Sequence, residues 1–159
     1  MKLAIHAVGR MKAGPERDLA ERYFDRFAKS GPVIGLDFAG IHEIAESRAR
    51  SAAERRRDEA DRLRNHAGTA AKILLDERGR NITSENFAAR LGGFRDGGHK
   101  ELVIAIGGPD GHDETLGAEA ALVLSFGALT WPHQLVRVML AEQLYRAATI
   151  LSGHPYHRG

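Results

Sequence analysis

Short apolar runs of strand length alternate along this chain with longer segments whose apolar residues recur at helical spacing. "KLAIHAVG" (Lys2 to Gly9) predicts a strand. "PERDLAERYFDRFAKS" (Pro15 to Ser30) predicts a helix with proline in its first turn and Leu19, Tyr23 and Phe27 on one face. "GPVIGLDFAG" predicts a second strand. The segment from about Glu43 to His66 is nearly all charged residues and alanine, with Ile44 and Leu63 as its large apolar anchors, so it predicts a helix with a narrow buried stripe. "AAKILLD" (Ala70 to Asp76) predicts a buried strand, and "ERGRN" the turn after it. A helix then starts near Thr83 or Ser84 and buries Phe87, Leu91 and Phe94. "ELVIAIGG" predicts another buried strand. The stretch "PDGHDETLGAEA" leads to a short apolar run "ALVLSF", the loop "GALTWPH", and a last helix from about Pro132 to Leu151.

Alternation of this kind predicts an α/β fold, a mostly parallel sheet with helices on both faces. The last helix departs from a surface pattern, because its large apolar residues spread around most of its circumference. Two partners have to cover it, the second being the rest of the domain or another copy of the chain.

At 159 residues the chain has the size of one domain, 1–159. It contains no cysteine, so disulfides and thiolate metal sites are excluded. No signal-peptide pattern opens it, and no segment approaches about 20 consecutive apolar residues. A soluble, cytoplasmic protein without membrane contact is the expectation. The formal net charge is only +2, which permits nucleic acid without demanding it, and a 6% aromatic share is too low for a platform built on base stacking.

Three glycine-bearing turns follow strands, "LLDERGR", "IAIGGPDG" and "LSFGALTWPH", and ligands in open α/β sheets settle at the carboxyl ends of strands. None matches a nucleotide fingerprint: G-x-G-x-x-G is absent, and Gly107 to His112 lacks the Lys and Ser/Thr of a P-loop. Asp110, Asp113 and Glu114 place negative charge there, which favours a cationic or neutral ligand over a phosphate. In "GALTWPH", Gly127 and Ala128 let a ligand approach the main chain, Leu129 and Trp131 offer apolar cover, and Pro132 starts a helix where no N–H is needed. On spacing alone, the plainer alternative is that these are ordinary turns.

"AVGRMK", "LLDERGR", "IAIGGPDG", "LSFGALTWPHQLVRVMLAEQLYRA" and the tail "HPYHRG", in this order, resemble the ribosomal RNA large subunit methyltransferase H family over nearly the whole chain. The resemblance implies the SPOUT superfamily, with a C-terminal trefoil knot and a homodimer. It also implies methyl transfer from S-adenosylmethionine, without a metal, to N3 of a pseudouridine in 23S ribosomal RNA on the assembled ribosome. By position, it implies a cofactor pocket of Leu75, Gly108, Gly127, Ala128, Leu129, Thr130, Trp131 and Pro132. The family often has serine where this chain has Gly127, and another apolar residue where it has Trp131.

The resemblance gives the tail a catalytic task. N3 of a pseudouridine is an imide nitrogen that attacks well only as its proton leaves, so a positioned base or a cation helps. His154 or His157 can accept the proton, Arg158 can bind phosphate or stabilise the anion, and Tyr156 can stack on the base. The alternative is that His154 and Tyr156 pin the terminus to the body. Two pairs one turn apart, His133 with Arg137 and Glu142 with Arg146, read as shaping contacts or ion pairs. Arg10 and Lys12 are placed to meet RNA, whereas Arg55, Arg56 and Arg57 read as a solvated face. Two rival functions are a non-catalytic ribosome-associated module of the same fold, and a metal-dependent hydrolase using His154 and His157 with Asp110 or Asp113.

Overall fold

Five parallel strands carry the molecule: β1 (Lys2–Val8), β2 (Asp37–Ile44), β3 (Ala71–Arg80), β4 (Glu101–Ile106) and β5 (Leu122–Leu124), in the order β2-β1-β4-β3-β5. The structure is a computed structural model that describes residues 1–157, with only the backbone of His157. Helices α1 (Pro15–Ser30), α3 (Ser84–Asp96) and α5 (His133–Ser152) cover one face of the sheet; α2 (Ala52–Ala67) and α4 (Glu114–Glu119) cover the other. The two-residue period of the strands sorts the core accordingly. Leu3, Ile5 and Ala7 face the α1–α3–α5 layer, while Leu74, Val103 and Ala105 face α2 and α4. The mostly parallel α/β architecture expected from the alternation is therefore present.

Several boundaries differ from the sequence expectation, each for a local reason. The second strand begins only at Asp37, because Pro32 opens a short 3₁₀ turn that ends on Gly35 in the left-handed region (φ 72°). Glu43 and Ile44 belong to β2, and α2 starts much later, where Ser51 and Glu54 form a reciprocal capping box. The "ERGR" run continues β3 instead of turning, since Arg80 pairs with Leu124 after a register shift. A side chain at Gly79 would strike the main chain of Val123 and Leu124, so β3 and β5 approach there as only glycine allows. "ETLGAE" is the short helix α4, capped by Asp113. In α1 the buried stripe is Ala20, Phe24 and Phe27; Leu19 is exposed.

The last helix is the keystone of its layer, with Leu140, Ala141, Leu144, Ala147 and Ala148 fully covered by α1, α3 and the sheet. It also buries a charge. Arg137, 4% exposed, donates to a carboxylate oxygen of Glu43 and to the carbonyl of Gly9. Glu43 accepts a further bond from the N–H of Met11 at 2.8 Å. His133 is thus not Arg137's partner, because the guanidinium is drawn inward to β2 and the loop after β1. Glu142 and Arg146 do form the expected ion pair, at 2.6 Å and half-buried.

Candidate active site

The ends of three adjacent strands lie level with one another. Leu75 stands opposite Ile106 on β4 and opposite Leu124 on β5, so the three glycine turns leave the sheet side by side. They enclose a cleft of about 560 Å³, a size that suits a nucleoside-sized ligand. Leu75, Gly108, Gly127, Leu129, Thr130 and Trp131 all line it. Ala128 and Pro132 lie in the same loop but not on the lining.

Each turn is held in place by a specific contact. Buried Ser125 accepts from the N–H of Gly127 at 3.0 Å, and its hydroxyl lies within donating distance of the carbonyls of Glu77 and Gly127. This ties the loop before α5 to the extension of β3. Gly127 itself sits at φ 118°, which a side chain would strain. A side chain at Gly108 would press on Val8 and the carboxylate of Glu59, so glycine there answers a packing demand beneath the cleft.

The electrostatics differ from the sequence expectation. Asp110 is neutralised by Arg55 at 2.6 Å, which holds its carboxyl below the usual range, and Asp113 is spent capping α4 at the N–H of Thr115. Arg55 is therefore not part of a solvated face, and Arg56 lines the cleft. The acids on the lining that the sequence did not single out are Asp76 and Glu77, with Asp76 paired to Arg78 at 3.2 Å. His112 was also missed. Its Nε2 is buried without a hydrogen-bond partner, and burial pushes its pKa below the ordinary 6.5 against the opposing pull of Asp76 and nearby carbonyls. A neutral imidazole is therefore seated at the wall of the cleft, between the ends of β3 and β4.

The tail stands apart from this cleft. Tyr156 packs on Tyr145 with ring centroids 4.6 Å apart, lies under Arg146, and donates to Glu142 at 3.2 Å. Burial, with Tyr23 and Glu142 nearby, raises its pKa, so the phenol stays protonated at neutral pH. His154 is exposed, and its Nδ1 accepts from the N–H of Tyr156 at 3.2 Å. Neither residue lines the cleft of its own chain. Arg158 and the side chain of His157 lie outside the described residues.

Known proteins match this sequence over nearly its whole length. The family model described as "Predicted SPOUT methyltransferase" matches residues 1–157. The chain belongs to the SPOUT methyltransferase family. Proteins called ribosomal RNA large subunit methyltransferase H resemble this SPOUT member along most or nearly all of their lengths. The one from Mesorhizobium japonicum is 70% identical, covering 99% of each chain; that from Chelativorans sp. is 63% identical, covering 99% of this chain and 91% of its own. That from Brucella anthropi is 60% identical over 99% of both.

Proposed function

We propose that the whole chain is one cytoplasmic methyltransferase domain that uses S-adenosylmethionine to methylate N3 of a pseudouridine in 23S ribosomal RNA on the assembled ribosome, working as a homodimer. The observation that carries this is the convergence of three level strand ends on one cleft in a chain of this family. The cleft fits the cofactor: Leu75, Leu124, Leu129 and Trp131 give apolar cover for an adenine ring, glycines expose main chain, and His112 and Asp76 offer polar partners. When bound, the sulfonium supplies an electrophilic methyl group. The protein's part is then to aim the accepting nitrogen and take its proton, and positioning alone accounts for much of such a rate.

The proton falls to the tail in this proposal, with His154 or His157 as base and Arg158 as the cation beside the imide. Tyr156, anchored on α5, sets where the tail leaves the body. Because His154 and Tyr156 do not line their own cleft, the site is complete only if a second copy brings its tail to it. A groove of about 460 Å³ beside the tail, lined by Leu19, Tyr23, Ile82, Phe126, Val138 and Met139, supports the same pairing, because it is apolar and continuous with the anchor of Tyr156. Exposed Arg10 and Lys12, on the loop that Arg137 fixes, are the proposed RNA contacts. The C-terminal trefoil knot belongs to the same proposal.

Mass spectrometry of ribosomal RNA, after unmodified ribosomes meet the protein and labelled S-adenosylmethionine, tests the proposal. One methyl on a pseudouridine N3 is expected; label on another base, or none, refutes it. Deleting His154 to Gly159 should lower methylation by roughly 10²- to 10⁴-fold while cofactor affinity stays within about twofold. A non-catalytic module would fail to bind the cofactor in calorimetry. The hydrolase alternative loses its ligands here, since Asp110 and Asp113 are engaged by Arg55 and α4.

A further inference from the structure

On the α2 side of the sheet three histidines converge. His6 on β1 and His42 on β2 are register partners, and His66 stands in the last turn of α2. One ligand nitrogen from each lies within 4.8 Å of the other two, the only such group of His, Asp or Glu among the described residues. The rings of His42 and His66 stack at 4.2 Å, and both meet the ring of His6 at 5.3 to 5.5 Å.

His6 makes the cluster more than a coincidence of surface residues. It is 1% exposed, and neither ring nitrogen has a hydrogen-bond partner. A buried imidazole with two unsatisfied nitrogens costs stability, and an apolar residue of similar size would serve packing better. We propose that His6, His42 and His66 form a three-imidazole site for a divalent transition metal of the zinc, cobalt and nickel class, with a fourth position left to water.

Donor chemistry and geometry select that class. The set is all nitrogen, with neither the carboxylates that magnesium or calcium require nor the thiolates of soft-metal sites. Tetrahedral coordination needs nitrogens roughly 3.3 Å apart, so the rings must draw together by an ångström or so. His42 and His66 are exposed and free to rotate onto the fixed ring of His6. Bound metal would pin the end of α2 to β1 and β2. The site does not depend on the methylation proposal.

The test uses tag-free full-length protein, stripped with chelator, desalted and titrated with Co²⁺ alone. One cobalt per chain with the visible absorption of a tetrahedral nitrogen site is expected, displaced by Zn²⁺. His42→Ala and His66→Ala, both at exposed positions, should each weaken binding at least about tenfold. His154→Ala should leave it unchanged. Zn²⁺ should raise Tm in the parent and not in the two variants. Absence of cobalt binding by the parent overturns the site. So does binding that survives in either the His42 or the His66 variant, or that is lost with His154.

Discussion

Among the described residues, His112 and His6 are the two that bury a ring nitrogen without a partner, and their surroundings differ in kind. His112 lines an open cleft whose wall mixes glycine turns and apolar side chains with charged groups such as Asp76 and Arg56. His6 faces two further imidazoles on elements far apart in sequence. One region is built to recognise a molecule by shape, and the other by ligand atoms. The difference also bears on substitution: a loop that works through its backbone tolerates changes of side chain, such as Trp131 here, whereas a side-chain cluster tolerates none of its members changing.

The largest effect should come from Arg137, which joins the two regions. On α5 it follows Val136 of the cleft wall, and through Glu43 it fixes the strand that carries His42. Arg137 is buried, while the Glu43 carboxylate it would leave behind is a third exposed and can be hydrated. Losing the charged hydrogen bonds of Arg137 should cost about 2 kcal/mol, so Arg137→Met should lower unfolding stability in urea by that amount and weaken both cofactor and cobalt binding. If either ligand binds the variant normally, the regions are independent of this joint. Thr130→Trp should separate them instead. It fills the cleft from an exposed rim position, so calorimetry should show roughly a hundredfold loss of cofactor affinity with Tm and cobalt titration unchanged.

The two regions were also unequally legible in sequence. The cleft could be read because its parts are local: glycines follow apolar strands, and parallel topology sets strand ends side by side. The level register of Leu75, Ile106 and Leu124 then did the rest. His112 was hidden inside a turn that looked merely acidic, and Ser125 inside an apolar run. The histidine cluster had no local signature, because His6 and His42 meet only through the β1–β2 pairing and His66 only through the docking of α2. Arg137 misled for a similar reason. Helical spacing pointed to His133, while the partner lay on a strand nearly a hundred residues earlier. The late start of α2 followed from a capping box that charge-rich composition concealed.

A gentler change sharpens the account of the cleft. Leu129 is 71% exposed although it lines the cavity, an arrangement that makes sense if a ligand covers it. Leu129→Asp removes the apolar surface without disturbing the fold. Loss of about 1.5 kcal/mol of burial corresponds to roughly a tenfold rise in cofactor Kd. An unchanged Kd would mean that the ligand does not reach this loop.

The smallest predicted effect concerns Glu59, which lies between the two regions, beneath Gly108 and on the helix that carries His66. It is buried and accepts from the N–H of Ser47 at 2.9 Å, and burial raises its pKa, with Asp110 and Glu46 adding to the effect of burial. Because the folded pKa exceeds the ordinary 4.5, the native chain holds a proton that the unfolded chain has already released. The buried charge therefore costs stability in full above the folded pKa, and the cost fades as pH falls through it toward 4.5. Glu59→Gln keeps an acceptor for Ser47 and removes the charge. It should be more stable than the parent at pH 8 by about 1 kcal/mol, roughly 3 °C in Tm, with the gap closing by pH 4.5. A gap that stays constant with pH would show that the carboxylate is solvated, and that its place under the cleft floor is one of shape alone.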